Sequence, residues 1–182
     1  MDVRNVQPLE HAFYRFKNCS QCKVYVYWKS PTSFVFYNCL TPGQFLDVNS
    51  YESHVWLFLN GDNGSRLWGE GRYEFYSKGW RKELLVAKRV GFLDESHNVP
   101  FRRLIKITYP LYNLACLSME VVRDTNIKLE DVDDLEIPVT LKYDLRLMIS
   151  IKNCIQSHSR ECQNNCLYKS FRCAFAPLWR NH

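Results

Sequence analysis

The run Asn49-Ser50-Tyr51-Glu52-Ser53-His54-Val55-Trp56-Leu57-Phe58 holds a hydroxyl, an imidazole and an indole at even spacing. Read as one strand, Ser50, His54 and Trp56 share one face, and Val55 and Leu57 share the other. Such a face suits a pocket with an aromatic wall and two hydrogen-bonding groups, and it equally suits a solvent-facing strand. Trp28 and Tyr37 come from neighbouring strand candidates and either close the same pocket or serve as core aromatics. Catalysis is a poorer reading. The five histidines are scattered and no carboxylate is tied to His54 in sequence. Motifs for phosphate loops, metalloprotease zinc or nucleotide binding are absent. The chemistry on offer is recognition of a ligand, with no catalytic set and no cofactor.

Eight cysteines raise a second option. Cys19 and Cys22 have a zinc-ligand or redox spacing, but no second pair follows at zinc-finger distance. Cys154, Cys162, Cys166 and Cys173, with His158 nearby, are denser. They read either as a tail zinc site or as free thiols on a poorly ordered extension, and free thiols are the expectation; no metal is assigned.

Bulk properties narrow the class. The 182 residues are 46% hydrophobic and 15% aromatic, so a packed core is affordable. The net charge of +5 is scattered along the chain and argues against nucleic-acid binding. No stretch approaches the roughly 18 to 20 apolar residues that cross a bilayer. Met1-Asp2-Val3-Arg4-Asn5 has no apolar run behind it and is no signal peptide, so the expectation is cytoplasm and nucleus, with reduced thiols.

Two textures must position the candidate residues. From about His11 to Pro110 the chain is short, aromatic and period-two. Strands are expected at Cys22–Trp28, Phe34–Cys39, Ser53–Leu59, Arg72–Tyr76, Leu84–Val90 and Arg103–Tyr109. Ser30-Pro31, Thr41-Pro42-Gly43, Asn60–Gly64 and Ser77-Lys78-Gly79 punctuate them, which favours an antiparallel sandwich. After Pro110 the period becomes helical. Leu114, Leu117, Val121 and Val122 line one face of a helix capped by Asn113. An acidic connector, Leu129–Asp134, leads to Ile137-Pro138, which opens a long amphipathic helix to about His158. The chain therefore reads as an all-β sandwich (1–110), a small all-α domain (111–158) and a cysteine-containing tail (159–182). Roughly 45 residues of helix cannot bury two apolar faces unaided, so one face needs a partner.

These residues, taken in order, resemble the von Hippel–Lindau tumour suppressor family. Leu40-Thr41-Pro42-Gly43 followed by Ser50-Tyr51-x-x-His54-x-Trp56-Leu57-Phe58 looks like its proline-glycine turn and Ser-Tyr-x-x-His-x-Trp-Leu-Phe strand. Asn18-Cys19-Ser20 with Trp28 resembles its Asn-x-Ser and downstream Trp. Ile107 through Leu114 resembles its exit into the first α-domain helix, which carries the same Val121-Val122-Arg123. The likeness covers roughly residues 11 to 158 and suggests a divergent, invertebrate-like member.

The resemblance implies a β-sandwich plus α domain, acting as the substrate receptor of a cullin-RING ubiquitin ligase. It implies that Ser50 and His54 bond the hydroxyl of a hydroxyproline in hypoxia-inducible factor alpha. Trp28, Tyr51 and Trp56 would wall the ring, and Tyr37 would bond the ligand backbone. Asn49 stands where the family usually has His, which alters a rim contact. Docking to elongin C, with elongin B, would use Leu114, Leu117, Ser118 and Val122, although Ser118 replaces the family's cysteine. Ile137, Pro138 and Leu141 resemble a cullin box. The rival reading is a scaffold that binds cytoskeletal or matrix proteins through the sandwich, without a ligase.

Overall fold

The computed structural model describes residues 9–31, 34–162 and 172–173. The strands are β1 (His11–Asn18), β2 (Val24–Lys29), β3 (Phe34–Leu40), β4 (Phe45–Tyr51), β5 (Val55–Asn60), β6 (Arg66–Gly69), β7 (Glu74–Tyr76), β8 (Arg103–Thr108) and the two-residue β9 (Arg172–Cys173). The helices are α1 (Trp80–Arg89), α2 (Leu114–Asp124) and α3 (Val139–Cys162), with a 3-10 turn at Glu130–Asp134. The chain is thus mostly β, with its helices late in the sequence.

The strands form one nearly closed sheet in the order β4-β1-β8-β6-β5-β2-β3-β9, and β7 pairs with β5. β6 joins the two halves, because it pairs with β5 on one side and with β8 on the other. One pairing departs from the antiparallel expectation: β1 runs parallel to β8, with Phe16 opposite Ile105. Period-two alternation sends Ala12, Tyr14, Phe16, Val48, Ile105 and Ile107 inward, against Val24, Val26, Trp56 and Phe58. Gly69 fits this core because it lacks a side chain. A Cβ there would lie 2.4 Å from the buried Phe58 ring.

The expected strand Leu84–Val90 lies instead almost wholly within α1. Leu, Ala, Lys and Arg are good helix formers. Leu84 and Ala87, three residues apart, are buried, while Arg81, Lys82 and Arg89 face water. Glu83, also buried, accepts from Tyr14 and pairs with Arg103, which anchors α1 beneath the sheet end. The strand expected at Ser53–Leu59 starts later, at Val55, and β1, β4 and β6 were not among the expected strands.

Both late helices form, and Asn113 caps α2 by accepting from the Cys116 amide at 2.8 Å. Met119, Val132, Leu145 and Ile149 make a small core, with Val122, Ile137 and Leu141 packed against it. Another side of α3 sets Leu147 and Ile151 on Tyr27, Phe34, Leu57 and Leu59 of the sheet. The sheet therefore covers one of the apolar faces that lacked a partner in sequence. Among the described residues, no helix is long and apolar enough to cross a membrane.

Candidate functional site

Ser50 is the inward residue near the end of β4, opposite Ala12 of β1, and is only 2% exposed. The chain turns over Glu52, Ser53 and His54 before β5 begins. Ser53 takes φ +69°, and the His54 amide donates back to Tyr51 O at 3.2 Å. Ser50, His54 and Trp56 therefore do not share one strand face as the spacing suggested. They converge across a turn from two strands, and the convergence is close. Ser50 Oγ lies 3.2 Å from His54 Nδ1 and accepts from Trp56 Nε1 at 3.3 Å.

The aromatic groups surround this hydroxyl. Trp28 pairs with Trp56 across β2 and β5, and its ring lies 4.9 Å from the His54 ring. Tyr37 meets Trp56 edge-on at 5.0 Å, and Tyr51 meets His54 edge-on at 5.5 Å. All six residues singled out for the pocket thus form one connected set. Tyr37 and Tyr51 are exposed, whereas Trp56 is buried. The indole Nε1 of Trp28 is buried without a hydrogen-bond partner among the described residues. Outside Tyr51, a cavity of about 350 Å³ is lined by His11, Phe13, Asn49, Ser50 and Tyr51.

Ser77 is the residue that sequence reading missed. Its hydroxyl lies 3.3 Å from Ser50 Oγ and accepts from Trp56 Nε1 at 3.2 Å. Its backbone clamps the turn, accepting from Ser53 N and donating to His54 O. Nothing in Ser77-Lys78-Gly79 beyond a turn signal pointed there, because the contact spans 27 positions from Ser50.

Desolvation holds the His54 imidazole below its ordinary pKa, so it is neutral near pH 7. A neutral imidazole both donates and accepts, as does a serine hydroxyl. The pair can give and take hydrogen bonds with one small hydroxyl while the rings enclose its apolar carrier. Among the described residues no carboxylate bonds His54.

The helical candidates separate by exposure. Leu114 (79%), Leu117 (44%) and Val121 (67%), with exposed Ser118, form an outward stripe on α2. Val122 instead turns toward the core shared with α3, as do Ile137 and Leu141, while Pro138 is exposed. Cys22 is buried with its Sγ 3.3 Å from Ser20 Oγ, and Cys19 is exposed. The side chains of Cys154, Cys162, Cys166, Cys173 and His158, and the tail as a unit, lie outside the described residues.

Fold and site define a mostly β protein in which a buried serine meets a half-buried histidine among four aromatic rings. No protein-family model matches the chain, and no curated protein matches it.

Proposed function

We propose that this chain is the substrate-recognition subunit of a cullin-RING ubiquitin ligase, a non-catalytic receptor for hydroxyproline in hypoxia-inducible factor alpha. In this reading the sheet is a β-sandwich recognition domain and α2–α3 a docking domain. Binding leads to oxygen-dependent ubiquitination and proteasomal degradation, with the chemistry done by other subunits. The setting is cytoplasm and nucleus.

The observation that carries the reading is the Ser50–His54 contact at 3.2 Å, walled by Trp28, Tyr51 and Trp56. A prolyl hydroxyl placed against Oγ and Nδ1 finds a donor and an acceptor together. An unmodified proline excludes water there and returns nothing, so each of the two groups loses hydrogen bonding beyond what it keeps with its partner, Trp56 and Ser77. Each such loss costs about 1–3 kcal/mol, which gives discrimination of roughly a hundredfold. In this reading Tyr37, exposed beside Trp56, bonds the backbone of an extended peptide.

The outward stripe on α2 supports the docking half. Leu114, Leu117 and Val121 follow helical spacing and meet no other part of the described chain's core. Contiguous exposed apolar surface of this kind marks interaction sites. Elongin C, with elongin B, is the proposed occupant. Cullin contact through Ile137, Pro138 and Leu141 has less surface to work with, since Ile137 and Leu141 also pack within the helical core.

Calorimetric titration of the elongin-bound protein tests the reading, using one peptide with proline and one with 4-hydroxyproline. Binding of the hydroxylated peptide alone, lost in His54→Ala, is the expected result. Equal binding of the two peptides, or none, rejects it.

A further inference from the structure

The outward face of β1, β4 and the start of β8 is an ordered array of cations and rings. Across the strands its rows read Lys106–Lys17–Phe45, then Leu104–Arg15–Asp47, and last His11–Tyr51. Between the last two rows, Phe13 pairs with Asn49, and Arg102 lies over the Phe13 ring and donates to Asn49 Oδ1 at 2.7 Å. The opposite face of these strands is buried core, so every one of these residues belongs to the outer surface.

Charge on this face is unbalanced. Arg15, Lys17, Arg102 and Lys106 meet one carboxylate in these rows, Asp47, which Arg15 already holds at 2.7 Å and Arg102 approaches at 3.7 Å. Lys17 and Lys106 sit directly opposite one another on adjacent strands. Neither has an ion-pair partner among the described residues. Strands are about 4.8 Å apart, and like charges placed opposite one another destabilise a sheet. A bridging anion relieves that repulsion. The rings supply the second requirement. Phe45 is 56% exposed with the Arg15 guanidinium 4.3 Å from its centroid, and Tyr51 is exposed at the far end.

Charges that are scattered along the chain, and so argued against nucleic acid in sequence, are gathered here by strand pairing, and we propose that this face binds single-stranded nucleic acid. Phosphates lie along Lys17, Lys106 and Arg102, and bases stack on Phe45, Tyr51 and the guanidinium planes. The platform runs about 20 Å along β4, from Phe45 to Tyr51. A flat array of rings and guanidinium planes suits unpaired bases, whose faces a duplex hides. RNA and single-stranded DNA share this chemistry. The proposal shares Tyr51 with the aromatic wall of the Ser50–His54 pocket, so its test is carried by Phe45, Lys17 and Lys106, which lie outside that pocket.

The test is fluorescence anisotropy of the full chain with labelled oligouridine and oligothymidine of about 12 residues. The expected result is saturable binding with a log–log salt slope of about −2, as for roughly three phosphates neutralised on a single strand. Lys17→Glu with Lys106→Glu should weaken binding about tenfold or more and flatten the slope. Phe45→Ala should weaken it about tenfold with the slope kept. Arg89→Glu with Lys128→Glu makes the same change of charge elsewhere and should leave binding intact. A difference between the two oligonucleotides identifies the strand preferred. Absence of binding to both overturns the proposal, as does equal weakening by the two double variants, or tighter binding of a duplex. Capture by phosphatidylserine vesicles without oligonucleotide binding also overturns it and assigns the face to a membrane surface.

Discussion

Trp56 Nε1 donates to Ser77 Oγ at 3.2 Å, which ties β5 to the segment just beyond β7. The same N–H reaches Ser50 Oγ at 3.3 Å, so two hydroxyls share one buried indole donor. With Ser77 donating to Ser50 Oγ, the Ser50 hydrogen is left to reach His54 Nδ1. Ser77→Ala should keep the Ser50 contact and lower stability by about 1 kcal/mol or less, measured by urea denaturation. Ser50→Ala should lower stability by about the same amount and, in addition, remove the preference for hydroxylated peptide. Equal peptide preference in Ser50→Ala and the wild type would show that Ser50 is only a structural hydroxyl.

The His54 imidazole titrates below the ordinary 6.5 because burial disfavours its cation. The unfolded chain therefore takes up this proton first as the pH falls. The stabilising contribution is complete above about pH 6.5 and is lost as the pH drops through the lower folded value. Protonation also makes Nδ1 a donor, so it stops accepting from Ser50. An NMR titration of the His54 ring should give a midpoint under 6.5, and ligand binding should weaken along the same curve. A midpoint above 6.5 contradicts this account.

Asp124 behaves in the complementary way. Hydrogen bonds from Arg123 and Lys152 hold its carboxyl down to about 2. A depressed carboxylate contributes stability that is complete above its unfolded value near 3.8 and is lost as the pH falls toward 2. Denaturation midpoints between about pH 4 and 2 should fall more steeply in the wild type than in Asp124→Asn. Parallel curves would remove Asp124 from the acid transition.

Gly69→Ala places a methyl group 2.4 Å from a carbon of the Phe58 ring, which is fully buried. The ring has no free volume to enter, so overpacking of about 1–3 kcal/mol is expected. Thermal melting of this variant reads it directly, and an unchanged midpoint would mean that the β5–β6 junction yields.

Leu114→Arg with Leu117→Arg alters residues that the folded chain leaves largely in water. Stability of the isolated protein should change by no more than about 0.5 kcal/mol. Co-purification with elongins B and C should be lost. Retained co-purification would move the docking surface elsewhere.

Much of this arrangement was readable from sequence, though by a partly wrong route. Ser50, His54 and Trp56 were grouped by even spacing along a single strand. The left-handed backbone of Ser53 breaks that strand, and the grouping survives because the two arms of the turn fold back together. Strong local signals held, such as the Asn113 cap and Pro138 just before α3. The Leu84–Val90 misreading came from an apolar run too short for periodicity to separate strand from helix. β4 escaped notice because its outward Asp47 and Asn49 make it look polar. Ser77 and the parallel β1–β8 pairing join positions dozens of residues apart, and no local pattern encodes such contacts.

α3 carries Leu145 and Ile149 into the helical core and Leu147 and Ile151 onto the sheet. One helix thus packs against both the sheet and the helical core. Melting either of them strips apolar partners from the same helix, so both should unfold in a single calorimetric peak. Limited proteolysis near Pro110 should then destroy the molecule instead of releasing two folded fragments. A lesion on the helical side becomes an unfolding signal in strands that it never touches.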